Sequence, residues 1–227
     1  MTRTSAAQLL LATATLLAAV PAHGALSLVS SRASLGGDDS INWAIFGNPG
    51  SVIFPGATAY TNASALFTVN SELFTIRQWN GAPEPFTGWA GHFGPSARGV
   101  YAATTFDISF TNPIAAGGAQ IDSNSTTAYT VRVEALDSSG NSLGFLTTDV
   151  TRSGTFDGPD NAAPFVGIAS DQPNISTLIF SITNTTDGSP DGFGVNDFDI
   201  RTNVPSPAAA TLAGLTLLTT ASRRRPR

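Results

Sequence analysis

The 227-residue chain contains no cysteine and no lysine. The first absence excludes disulfides, thiolate nucleophiles and cysteine-ligated metal. The second leaves arginine as the only side-chain cation besides histidine, which reads as genome bias rather than mechanism. Histidine is almost missing too. His23 falls in a leader, so His92 is the single imidazole of the body. A Ser-His-Asp site would have to be built on His92, and no G-x-S-x-G elbow accompanies it. His92 reads instead as a loop or strand-edge residue. The glutamates are Glu72, Glu84 and Glu134, and no spacing sets two carboxylates across one sugar as a glycosidase needs. H-E-x-x-H, P-loop and dinucleotide-binding patterns are absent. The sequence therefore argues against an enzyme.

Charge excludes further classes. Between Ala25 and Asn203, six arginines face all sixteen acids, a net charge near −10. Nucleic acid demands a basic face, and anionic lipid does as well. An acidic surface suits solubility, and hard cations with oxygen ligands.

What is present concentrates at the two ends. Residues 1–24 read as a secretory signal peptide: Arg3 gives a positive start, Leu9 to Val20 an apolar stretch, and Pro21 breaks it before Ala22-His23-Gly24. The expected cut follows Gly24. At the other end, Val204-Pro205-Ser206-Pro207 precedes an apolar run from Ala208 to Ala221, closed by Arg223, Arg224, Arg225 and Arg227. Fourteen helical residues span about 21 Å, against about 30 Å of hydrocarbon. That makes a weak permanent anchor and an adequate transient handle, with the arginines holding the terminus inside. A signal peptide, a Pro-x-Pro motif, a short apolar helix and terminal arginines together resemble the PEP-CTERM sorting signal. The resemblance implies an exosortase-like membrane enzyme as partner. Ser206 stands where the family usually carries Glu. A plain stop-transfer helix is one alternative. A GPI signal is another, although that signal ends without a basic cluster.

Between the ends the chain reads as one domain, 25–202, followed by the sorting signal at 203–227. Period-2 alternation dominates. "TTFDISF" sets Phe106, Ile108 and Phe110 against Thr105, Asp107 and Ser109; "AYTVRVEAL" sets Tyr129, Val131, Val133 and Ala135 against Thr130, Arg132 and Glu134. Turn sequences such as "DSSGN" and "DGSPDG" separate such runs. Strands are expected near 26–32, 41–46, 63–68, 72–79, 104–110, 116–121, 128–136, 142–149, 164–168, 175–182 and 193–201. They imply an all-β, two-sheet antiparallel sandwich, jelly-roll-like, with 128–136 and 175–182 central and a terminal helix at each end of the chain. The body, from "GGDDSINWAIFGNPG" to "FGVNDFDI", also resembles that of PEP-CTERM proteins, which implies fold more than activity.

Two ligand sites are candidates. Trp79 and Trp89, with Phe86, His92 and Phe93 nearby, suit stacking on sugar rings, or capping the core. Asp38, Asp39, Asp197 and Asp199 would meet if the first and last strands pair, and suit calcium, or ordinary turn and surface positions. The expected role is structural or adhesive, secreted at the cell surface or within an exopolysaccharide matrix, with carbohydrate binding through the tryptophans as the alternative.

Overall fold

A computed structural model describes residues 24–48, 51–70, 76–79 (backbone alone), 93, 99–123, 128–151 and 163–204. Two sheets, paired antiparallel throughout, face each other. The eight-stranded sheet runs β1 (Leu26–Val29), β12 (Phe165–Ser170), β9 (Ala116–Ser123), β14 (Phe193–Arg201), β7 (Gly99–Ala102), β6 (Ile76–Trp79) and β3 (Val52–Ile53), with β2 (Asp39–Ile41) also pairing with β14. The six-stranded sheet runs β11 (Ser142–Thr151), β10 (Ala128–Leu136), β13 (Ile175–Asn184), β8 (Thr105–Ile114), β5 (Leu66–Asn70) and β4 (Ala57–Tyr60). The architecture is the expected all-β sandwich, and β10 and β13 lie side by side inside their sheet. The expected terminal helices fall outside the described residues. Among those residues no helix is long and apolar enough to cross a membrane.

The six-stranded sheet follows from its alternation. Tyr129, Val131, Val133 and Ala135 are buried, while Thr130, Arg132 and Glu134 on the other face are half-buried. Outward, Arg132 pairs with Glu134 at 2.7 Å and lies 4.3 Å over the Phe145 ring across the ladder. Inward, these strands meet Phe193, Val195, Phe198 and Ile200 of β14 in one core.

One expectation was misplaced. A strand was expected over 41–46, but the strand is β2, and Trp43–Phe46 form a single 3-10 turn. The Asn42 side chain accepts the Ala44 N–H at 3.0 Å, and Gly47, at φ 124°, ends the turn. The turn drives Trp43 between the sheets, where it meets Phe67, Phe106 and Phe198 edge-on at 5.7–6.5 Å. β3, β4 and β7 were not expected at all.

Strand β14 carries an irregularity that shapes one end of the molecule. Its register against β9 slips between Asn196 and Asp199, and Asp197 has φ 42°. This is a bulge with its extra residue in the left-handed region, where aspartate is among the tolerated side chains. The slip lets Val195 and Phe198 both face the core. It also marks where β14 exchanges one neighbour for another: β7 pairs with 193–196, β2 with 198–200. A short helix, α1 (Arg32–Leu35), sets Leu35 into a satellite core with Val29, Ala116, Phe165 and Ala169.

Candidate functional site

The first strand, β1, pairs with β12 rather than with the last strand; it is β2 that pairs with β14, and this pairing gathers the four aspartates at one end of the sandwich. Asp38, Asp39 and Asp199 line an open groove of about 430 Å3 with Gly37, Ser40, Asn62 and Ala63. Each carboxylate has a protein donor. Asp39, buried, accepts the N–H groups of Ser40 (2.7 Å) and Ala63 (2.8 Å) and the Thr61 hydroxyl. Asp38 accepts the Thr202 N–H and hydroxyl, both at 2.8 Å. Asp197 and Asp199 share Arg32 of α1: Nη1 donates to Asp197 at 2.9 Å, Nη2 to Asp199 at 3.0 Å, and Nε also donates to Asp199. The Asp199 hydrogen bond above all raises the guanidinium pKa, against a partial burial that lowers it. The aspartates thus tie α1, β2, the 61–63 turn and the end of β14 together. Among the described residues no group of three or more His, Cys, Asp or Glu is disposed to hold a metal ion.

A second polar region lies on the outer face of the eight-stranded sheet. Register places Phe165, Gln120, Asn196, Gly99 and Trp79 in one row across β12, β9, β14, β7 and β6. Asn196 is 1% exposed, and its Nδ2 donates to Gln120 Oε1 at 3.2 Å. Gln120 Nε2 reaches the Ala163 carbonyl at 3.4 Å. Asn196 Oδ1 is buried without a hydrogen-bond partner. The neighbouring row holds Asp122, fully buried with its carboxylate 3.3 Å from the Tyr129 hydroxyl, and Tyr101. Backbone approach is close here. A Cβ on Gly118 would lie 2.8 Å from both Gly167 Cα and the Phe165 ring, so β9 and β12 pack only with glycine at that point.

Sequence reasoning brought the aspartates to the right end but missed Arg32 as their partner. It also missed Asp122 and the pairing of Gln120 with Asn196. Alternation marks these three as outward; it carries no sign that the outward face is covered. Of the two tryptophans, Trp79 holds the register position just given, and its side chain lies outside the described residues, as do Trp89 and His92. Of the sorting motif, Val204 is described, whereas Pro205, Ser206, Pro207, Arg223, Arg224, Arg225 and Arg227 lie outside. Val204 shares a groove of about 420 Å3 with Ala25, Leu26, Asp171 and Arg201.

No protein-family model matches the sequence, and no curated protein matches it. Among solved structures, the chain is similar to a DUF4465 family protein from Bacteroides caccae ATCC 43185. The identity is 10% and the TM-score 0.40, over 78% of this chain and 100% of that one. It is similar to TmCBM61 in complex with β-1,4-galactotriose at 11% identity and a TM-score of 0.33, over 60% of this chain and 88% of that one. A glycoside hydrolase family 43 arabinoxylan arabinofuranohydrolase from Bacillus subtilis, in complex with cellotetraose, gives 15% identity and a TM-score of 0.34. That likeness covers 69% of this chain and 28% of the hydrolase.

Proposed function

We propose that the chain is an exported, non-catalytic β-sandwich of jelly-roll-like winding. In this reading it is sorted at the cell envelope by an exosortase-like enzyme and serves a structural or adhesive role in a surface layer or exopolysaccharide matrix. The supporting observation is the placement of the two ends. Ala25 and Val204 line one groove, so a leader and a tail attached there leave from the same end of the sandwich. The β13–β14 turn lies at the far end of β14, a nine-residue strand and about 30 Å away. A domain tethered in this manner presents that far end outward.

The test is deletion of 208–227 in an exporting Gram-negative host. The truncated protein is expected in the medium, folded and soluble, because the core strands end at Arg201. Neutralising the four terminal arginines should weaken envelope retention, since positive charge resists translocation. Aggregation of the truncated chain would make the tail part of the domain and sink the reading.

Glycan binding through Trp79 and Trp89 is the second reading, favoured by the concentration of aromatic residues in "RQWNGAPEPFTGWAGHFGP", whose ring faces suit stacking on sugar rings. Trp79→Ala and Trp89→Ala should each abolish retardation on soluble polysaccharide gels. Binding that survives both substitutions would remove the reading.

A further inference from the structure

Gly24 is buried although it lies two residues ahead of β1. A Cβ built on it would overlap the Asp171 carboxylate, and would lie 2.5 Å from Ser170 Oγ and 3.4 Å from Asn174 Nδ2. These three residues belong to the end of β12 and the turn that follows. Asn174 Oδ1 is buried and has no hydrogen-bond partner. Native folds rarely leave a buried acceptor unmet. A carboxylate, a hydroxyl that also accepts the Gln172 N–H at 3.2 Å, and the Asn174 side-chain amide thus converge on a space that admits only glycine, with the amide's unmet oxygen on its other side. With that amide turned, the space becomes the acceptor-rich setting a small cation with several N–H groups would fill.

The sequence can supply such a cation. The expected signal-peptidase cut follows Gly24 and would free the α-amino group of Ala25 while removing the residue that fills the space. We propose that the mature N-terminus is itself the ligand: the Ala25 ammonium docks on Asp171, Ser170 and Asn174 and clasps β1 to the eight-stranded sheet. This rests on the export reading above.

Geometry allows it. The Ala25 nitrogen is about 3 Å from the Cβ position built on Gly24, which puts it within about 6 Å of Asp171 and Ser170. At that range an opposite charge favours the charged form. A half-turn of the Asn174 amide exchanges Nδ2 for the unmet Oδ1. The other charged group lining the groove is Arg201, which opposes the ammonium, but its Nη1 is turned away to the Leu35 carbonyl at 3.1 Å. The clasp has a structural consequence. β1 is a four-residue edge strand whose first residue, Leu26, pairs with Ser170 itself. Edge strands this short fray, and the clasp fixes the start of this one.

The absence of lysine makes the test direct. In the mature protein the α-amino group would be the sole primary amine, so amine acylation measured against pH titrates that group alone. The exported protein is purified and its intact mass read; it should begin at Ala25. Its acylation midpoint should lie about one pH unit above the ordinary 7.7–8.0. At pH 7 the folded protein should react about tenfold more slowly than the urea-unfolded one. Asp171→Asn should abolish the shift, and Asn174→Asp, which adds a carboxylate, should enlarge it. If Asp171→Asn does not fold, one alanine inserted before Ala25 decides instead, since it must return the midpoint to the ordinary range. An ordinary midpoint in the folded protein, or a shift untouched by these changes, overturns the clasp. A mass that retains residues ahead of Ala25 overturns the export reading, and the clasp with it.

Discussion

Strands β9 and β10 follow one another in the chain and belong to different sheets. β10 alternates, buried on the core face and half-buried on the other. β9 is buried at all eight positions. The inward sets are comparable, with Ala119 and Ile121 in β9 and Val131 and Val133 in β10. The outward sets differ: Gln120 and Asp122 are shielded, whereas Thr130 and Arg132 meet water. A polar residue facing water costs little. A shielded one must find partners or strain the fold. The outward polar groups of β9 therefore depend on protein partners, whereas those of β10 can turn to water.

The two sheets share one inner face, so the largest effect should strike both together. Trp43 is 1% exposed and touches Phe67 and Phe106 of the six-stranded sheet and Phe198 of the eight-stranded sheet. Trp43→Ala should cost about 3–5 kcal/mol, read from urea unfolding. The transition should remain single. Two separated transitions would mean that the sheets fold as independent units.

The outer faces should then differ. Asn196→Ala removes the donor to Gln120 Oε1 inside a covered row, and should cost about 1–3 kcal/mol. Ser181→Ala, on the outer face of β13 beside Arg132, should stay within about 0.5 kcal/mol. Equal effects would break the contrast between a covered and an open sheet.

That contrast also explains what the sequence disclosed. Strands β8, β10 and β13 were legible because one face of each meets the core and the other does not, so burial and alternation coincide. β7, "GVYA", is nearly all buried and only four residues long, and leaves no alternation to read. The stretch 41–46 was read as a strand because Ile41, Trp43 and Ile45 alternate, yet the Asn42 side chain captures the Ala44 N–H and turns the backbone. At the acidic end, Asp39 and Asp199 do come together, but through β2 on β14 and not through the first strand, which pairs with β12. Arg32 was not legible as their partner. Its bridge to Asp197 depends on a left-handed residue at a bulge, and nothing in "GVNDFDI" announces where the register slips.

The Arg32 bridge offers a smaller test at the seam between the two neighbours of β14. Its side chain is 48% exposed, so Arg32→Ala should cost no more than about 1 kcal/mol. It should also release Asp197 and Asp199 from their protein partner. In the parent protein Arg32 occupies these oxygens, so a cation added to it would have to displace the guanidinium. The variant's melting temperature should therefore respond more to excess calcium over chelator than the parent's does. A smaller response in the variant would argue against any cation site at this end.

The smallest effect belongs to the open sheet and depends on pH. Glu134 accepts the Ser142 hydroxyl at 2.7 Å and pairs with Arg132 at 2.7 Å. The Ser142 hydrogen bond, then Arg132, lowers its pKa, against a burial that raises it. A carboxylate whose folded pKa is depressed adds stability above its unfolded pKa, near 4.3, and loses that stability as pH falls through the folded value. Glu134→Gln should therefore cost a few tenths of a kcal/mol up to about 1 kcal/mol at pH 7. The gap to the parent should close as pH falls through the depressed folded pKa and the carboxyl protonates. Urea midpoints of both proteins at pH 7 and pH 2.5 read this directly. A gap that persists at pH 2.5 would trace the loss to the side chain's packing against Arg132 and Ser142 rather than to its charge. The outer face of β10 would then be closer in kind to that of β9 than its exposure indicates.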